Sequence, residues 1–168
     1  MKTITRLPVI VGLLSRAMAT AIGLITMVNL AGAQTQQEHV HHMAHTVMPF
    51  SMSKTVHVFK MTEQGGVMRV ITREAGASDQ VPLIQQHLQH EATQFQKGDF
   101  SDPAKLHGAT MPGLKELEAG AAKMKVTYEP LPNGGAIRFE TSDLHLLTAI
   151  HRWFGAQLSE HGADAQEE

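Results

Sequence analysis

Thr55-Val56-His57-Val58-Phe59-Lys60-Met61-Thr62, then Glu63-Gln64-Gly65-Gly66, then Val67-Met68-Arg69-Val70-Ile71-Thr72 is the stretch that decides the fold. Val56 and Val58 on one side and Val67 and Val70 on the other flank a glycine-bearing turn, the pattern of a β-hairpin in which glycine supplies positive φ. Downstream, Asp79 is placed to cap a helix running to about Gln96, with Val81, Ile84, Leu88 and Phe95 on one face and Gly98 ending it.

The same plan recurs. Lys125 to Tyr128 and Ala136 to Thr141 read as a second hairpin closed by Pro132-Asn133-Gly134-Gly135, and Asp143 caps a final amphipathic helix that ends near His161-Gly162. At one constant offset Val58-Phe59 matches Thr127-Tyr128, Gly65-Gly66 matches Gly134-Gly135, Arg69 matches Arg138 and Thr72 matches Thr141, which points to an internal duplication. One hairpin with one helix is too small to bury its apolar face alone, so two units are expected to share a core. The expected fold is therefore α+β: duplicated β-hairpin-helix units forming a four-stranded antiparallel sheet with helices on one face. The helices align less cleanly. Matching Ser78-Asp79 to Ser142-Asp143 sets His87 over His151. A shift by one residue sets Val81, Ile84, Leu88 and Phe95 over Leu144, Leu147, His151 and Leu158 and fits the packing better. Between the units, Gly98 to Gly113 reads as a loop, followed by a short helix from about Leu114 to Met124.

Residues 1–33 have the composition of a secretory signal: Lys2, Arg6 and Arg16, a mostly apolar run from Ala17 to Leu30, and small residues at Ala31-Gly32-Ala33. The apolar run is short for a membrane span, so no stable membrane insertion is expected after cleavage, and the mature chain is expected in the periplasm or outside the cell. Residues 34–53 read as a flexible arm whose order requires a ligand, and 54–168 as a single domain. Charge is near balance, with 14 basic and 16 acidic side chains, and no basic run with interleaved aromatics occurs, which argues against nucleic acid as a partner. There is no cysteine, so neither disulfides nor thiolate ligands are available.

The chemistry suggested by composition is metal binding. His39, His41, His42 and His45 with Met43, Met48 and Met52 crowd into the arm. Imidazole and thioether are the thiol-free side chains that bind soft and borderline ions, so copper comes first, with nickel or zinc as alternatives. In the domain, His87 and His90 are three apart and share a helical face, with Glu91 beside them. His107 lies in the loop bracketed by Pro103 and Pro112, with Met111 expected to plug that loop into the core. His151 falls among Leu147, Ile150, Phe154 and Leu158 and reads as a hydrogen-bonded core histidine. The expectation is a periplasmic metal-binding protein for copper sequestration or transfer, with metal ions and another periplasmic metal carrier as partners. The alternatives are a small enzyme or haem-handling protein with a pocket near His107 and His151, and an interaction domain using the open face of the sheet. No Gly-x-Ser-x-Gly elbow, phosphate-cradling loop, His-Glu-x-x-His helix or Cys-x-x-Cys-His haem attachment occurs.

Gly98-Asp99-Phe100-Ser101-Asp102-Pro103-Ala104-Lys105-Leu106-His107-Gly108, Met111-Pro112-Gly113-Leu114 and His151-Arg152-Trp153-Phe154-Gly155-Ala156-Gln157-Leu158 carry a resemblance to a family of small exported bacterial proteins that often bear the automatic label aspartate carbamoyltransferase. The Ser-Thr-Arg-Thr-Arg signature of that enzyme does not occur, and the mature chain is about half the length its two α/β domains need. The resemblance therefore implies a shared small exported fold with shared loop and helix motifs, and it carries over no catalytic residue.

Overall fold

The structure is a computed structural model that describes residues 36–168. The signal peptide expected over residues 1–33 lies outside the described residues. Residues 36–43 form a first helix, α1. Strands β1 (Thr55–Thr62) and β2 (Gly65–Thr72) make the first hairpin and lead to α2 (Val81–Gln96). Two short helices follow, α3 (Ser101–His107) and α4 (Leu114–Gly120). Then come β3 (Lys125–Leu131), β4 (Gly134–Glu140), the long helix α5 (Leu144–His161) and a short strand β5 (Ala165–Glu167).

The fold is α+β, and its four antiparallel strands are ordered β3-β4-β2-β1. The sheet differs from the expected one by a fifth strand: β5 pairs parallel to β1, His57 opposite Ala165, which makes the sheet mixed. Ala-Gln-Glu has little β propensity of its own. It becomes a strand because the end of α5 delivers it to the free edge of β1, where Glu168 N donates to the Phe59 carbonyl and the Glu168 carboxylate pairs with Arg69.

The duplication has a spatial counterpart. Gly65 pairs with Glu140 and Gly134 pairs with Ile71, residues that also correspond to each other, while Met68 pairs with its own counterpart Ile137. The two hairpins are thus joined across β2 and β4 about a local two-fold through the Met68–Ile137 pair. Glycine is required there for closeness more than for turn geometry. A Cβ on Gly65 would run into the Phe139 carbonyl oxygen, and one on Gly134 into the equivalent Val70 oxygen; of the two, only Gly65 has positive φ. Each helix then crosses to the other unit: α2 packs on β3 and β4, and α5 on β1 and β2. Phe59, Phe95, Phe100, Phe139, Trp153 and Phe154 pack between sheet and helices as edge-on and stacked rings, with Phe95 and Phe100 stacked at 4.6 Å.

Several local expectations are corrected. Asp143 does cap α5, accepting from His145 N and Leu146 N. Asp79 does not cap α2: a 3-10 turn (Ala75–Gln80) precedes that helix, and the Asp79 carboxylate bonds Lys54 Nζ and Gln80 Nε2 instead. The buried face of α2 is Ile84, Leu88, Glu91, Ala92 and Phe95. That of α5 is Leu146, Ala149, Ile150, Trp153, Phe154, Gln157 and His161. Leu144 is 75% exposed, and Leu147, His151 and Leu158 are only half-buried, so the helix alignment preferred from sequence names the wrong face. Part of the expected loop is the helix α3. Residues 36–53 belong to the same compact unit as the rest, because Val40, Ala44, Met48 and Met52, four apart, and Phe50 insert into the core. No structural boundary falls at residue 54 where one is expected, and the apolar side chains of residues 36–53 are part of the core.

Candidate functional site: a histidine-lined cavity

Two local rules aim histidines inward. In β1 side chains alternate, so His57 faces the same side as Phe59 and is buried opposite Val70. In α5 residues about four apart share a stripe, so His161 continues the buried line of Trp153, Phe154 and Gln157. Their rings stack at 4.7 Å, with an interplanar angle of 18°. His107, at the end of α3, meets His161 edge-on at 4.9 Å. His87 enters from α2, its ring packed edge-on against Phe50 at 5.7 Å.

These four imidazoles and the thioethers of Met48 and Met68 line one cavity of about 50 Å³, together with Glu91, Trp153 and Gln157. That volume takes an ion and a few small atoms and excludes a porphyrin. Four buried side-chain polar atoms among the described residues have no hydrogen-bond partner in the protein: His57 Nδ1, His161 Nδ1, Trp153 Nε1 and Gln157 Nε2. All four belong to residues lining this cavity. Unpaired buried polar atoms are costly, about 1–3 kcal/mol each, so their concentration in one place singles this cavity out as the candidate site.

Burial favours the neutral form of three of the rings, His57, His87 and His161, the form in which imidazole has a lone pair to give. It lowers His57 to about 3, helped by nearby His107, His87 and Arg73 and opposed by the Asp164 backbone carbonyl. It lowers His87 to about 4 and holds His161 well below the ordinary imidazole value, helped there by His57 and His107. His107 Nδ1 lies 2.8 Å from Glu160 Oε2. A carboxylate only accepts, so Nδ1 is the donor in this pair, the arrangement by which a carboxylate orients a metal-binding imidazole. Gln36 of α1 braces this pair, its Nε2 donating to Glu160 Oε2 at 3.2 Å and to the His107 carbonyl at 3.3 Å. Glu91 is buried between the cavity and an outer polar recess. Burial, then Asp102 and Asp99, pushes its carboxyl up to about 8, against the pull of Lys105.

Of the residues expected to bind metal, the structure brings Met48, His87 and His107 to this cavity. His39, His41, His42 and His45 are exposed on α1 and the turn after it, and Met43 is half-buried. His41 reaches Asp164 at 3.4 Å, and the rings of His42 and His45 meet edge-on at 6.1 Å. His90 is exposed on the outer recess, so His87 and His90 face different spaces despite their spacing. His151 lies outside the cavity lining and is held at the first hairpin, its Nε2 shared between the carbonyls of Thr62 and Gly65 at 3.1 and 2.9 Å. It therefore does not line the cavity that His107 lines. His57, His161 and Met68 escaped the sequence reading. The signals were present: an inward slot in the β1 alternation and the next position on the apolar stripe of α5.

Among the described residues, no group of three or more His, Asp or Glu side chains is already arranged to hold a metal ion. The stacking of His57 on His161 gives one reason, since near-parallel rings direct their in-plane lone pairs along separate planes. A side-chain rotation about Cβ–Cγ of either histidine is needed to bring two nitrogens to one point. No helix among the described residues is long and apolar enough to cross a membrane. No protein-family model, curated protein or solved structure matches the chain, so the reading of the site rests on its own geometry.

Proposed function

We propose that the protein binds a transition-metal ion, copper before nickel or zinc, in the cavity between β1, α2, α3 and α5, and that it sequesters or hands on that ion outside the cytoplasm. The carrying observation is that four imidazoles and two thioethers line one small buried cavity, with three of the imidazoles held neutral by burial. Imidazole suits both copper states, and thioether favours the cuprous one. His57, His107 and His161 are the proposed nitrogen donors, Met48 and Met68 the proposed sulfur donors, and Glu160 the group that orients His107.

The test is titration of untagged mature protein with cuprous and cupric ions against a competing chelator, followed by the doubly substituted His57→Leu/His161→Leu protein. The expected result is one tightly bound ion per chain and a loss of affinity of about 100-fold or more in the variant, at least the cost of a lost orienting partner. Equal affinity in the two proteins, or no binding in either, overturns the reading.

A further inference from the structure

His57 and His161 are covered by the segment that follows α5. Residues 162–168 make a 3-10 turn (Gly162–Asp164) and then β5, which lies on the edge of β1 with Ala165 opposite His57. The Asp164 backbone carbonyl faces the His57 ring. His161 is the last residue of α5 before the chain turns at Gly162, where φ is +55° and a Cβ would press on the Gln37 amide at 3.0 Å. Only glycine fits that corner without strain.

Charge, more than burial, holds the segment in place. None of residues 162–168 is buried, and of them Ala165 alone packs against the core. Arg73 Nη2 donates to the Asp164 carboxylate at 2.9 Å and to the Ala163 carbonyl at 3.1 Å, while the Glu168 carboxylate pairs with Arg69 and, at 3.3 Å, with Lys60. His41 Nδ1 meets the Asp164 carboxylate at 3.4 Å. Half-exposed pairs of this kind hold weakly and are screened by salt, and a short strand with little apolar contact opens more readily than the body of the sheet. The two histidines beneath it are only 5% and 6% exposed. We propose that residues 162–168 are an electrostatically latched strap, hinged at Gly162, whose release from β1 uncovers the His57/His161 pair to small solutes. As the entrance for an ion the strap rests on the copper reading; as a moving part it does not.

The experiment treats the full mature chain with diethyl pyrocarbonate, which carbethoxylates accessible neutral imidazoles, and follows each histidine by peptide mass spectrometry. His107 lines the same cavity from α3 and serves as internal reference. His57 and His161 are expected to react slowly at low salt and about fivefold faster both in Arg73→Gln and in about 1 M salt, where the Debye length is about 3 Å, with His107 unchanged. Val58 and Gln166 are paired across β1 and β5 in a chain without cysteine, so a disulfide in Val58→Cys/Gln166→Cys ties the strap down and is expected to abolish the salt acceleration. Near-UV circular dichroism checks that both variants keep the wild-type packing. Rates at His57 and His161 that ignore salt and the Arg73 substitution, that rise in step with His107, or that stay salt-accelerated in the tied protein overturn the strap. Cupric ion is then added to the tied protein, oxidised and reduced, with slower uptake expected in the oxidised form. Equal uptake overturns the strap as the entrance and leaves the copper reading standing, whereas no binding in either form overturns the copper reading and leaves the strap to be decided by the histidine rates.

Discussion

His41, His42 and His45 stand in solvent on α1 and the turn after it, whereas His57, His107 and His161 stand inside the protein with their rings 4.7 and 4.9 Å apart. The first set is dense in sequence and loosely held in space. The second is scattered over more than a hundred residues and gathered by the fold. An exposed imidazole keeps its water and its rotamer freedom, so any ion it binds must first order it. A buried imidazole is already desolvated and oriented, its cost met when the chain folded, and it therefore binds with less left to lose. Crowding along the chain is thus a poor guide to crowding in space.

The comparison can be sharpened at its inner member through Glu160. Glu160→Gln keeps an acceptor for His107 Nδ1 and removes the charge, so copper affinity is expected to fall about tenfold by chelator competition. No change would mean that His107 is not oriented as a donor to the ion.

Stability against pH separates the two sets by a smaller effect. His57 and His87 are lowered from 6.5 to about 3 and about 4, so the unfolded chain takes up protons that the native protein refuses. Their contribution is lost as pH falls below about 6.5, and His161 acts in the same direction. Glu91 runs the opposite way: raised from 4.5 to about 8, it keeps a proton in the native state that the unfolded chain releases, so its contribution is lost as pH rises from 4.5 to 8. Below 6.5 the three histidines outweigh the one carboxyl. Metal-free protein is therefore expected to melt at its highest temperature near pH 6.5 and lower on both sides. In Glu91→Gln the decline between pH 6.5 and 8 should disappear; a decline that persists would assign it to another group.

The smallest effect is expected at the outer member. Changing His39, His41, His42 and His45 together to Ser should alter the affinity of the tightest copper by less than about threefold, because none of the proposed buried donors is touched. A loss comparable with that of the His57→Leu/His161→Leu protein would reverse the comparison and return the site to the surface.

What was legible in the sequence follows from how local each signal is. Both hairpins, the duplication, the Asp143 cap and the Gly98 stop depend on residues within a turn or two of each other. The packing of Met111 was legible too, whereas His151 is hydrogen-bonded as expected but only half-buried rather than in the core, because the apolar residues around it in sequence do not mark the buried face of α5. The helix α3 was hidden because Gly98, Pro103 and Pro112 look like loop residues. Pro103 is tolerated in its first turn, where a backbone N–H has no helical partner to lose. The four-residue spacing of Val40, Ala44, Met48 and Met52 was masked by the histidines between them. Read as metal ligands, those histidines made the segment look like a free arm, while its apolar side chains were core.

Alternation and glycine pairs along the chain determine by themselves that there are two similar hairpin units followed by helices, since a strand's faces and a turn's geometry are properties of neighbours. Only the tertiary structure decides that each helix crosses to the other hairpin, that β5 completes the edge of β1, and which histidines meet. Those outcomes depend on contacts between residues far apart in sequence, where the burial of Phe59, Trp153 and Phe154 sets the helix rotation and carries His57 and His161 into one space. No pattern within a single element records that rotation.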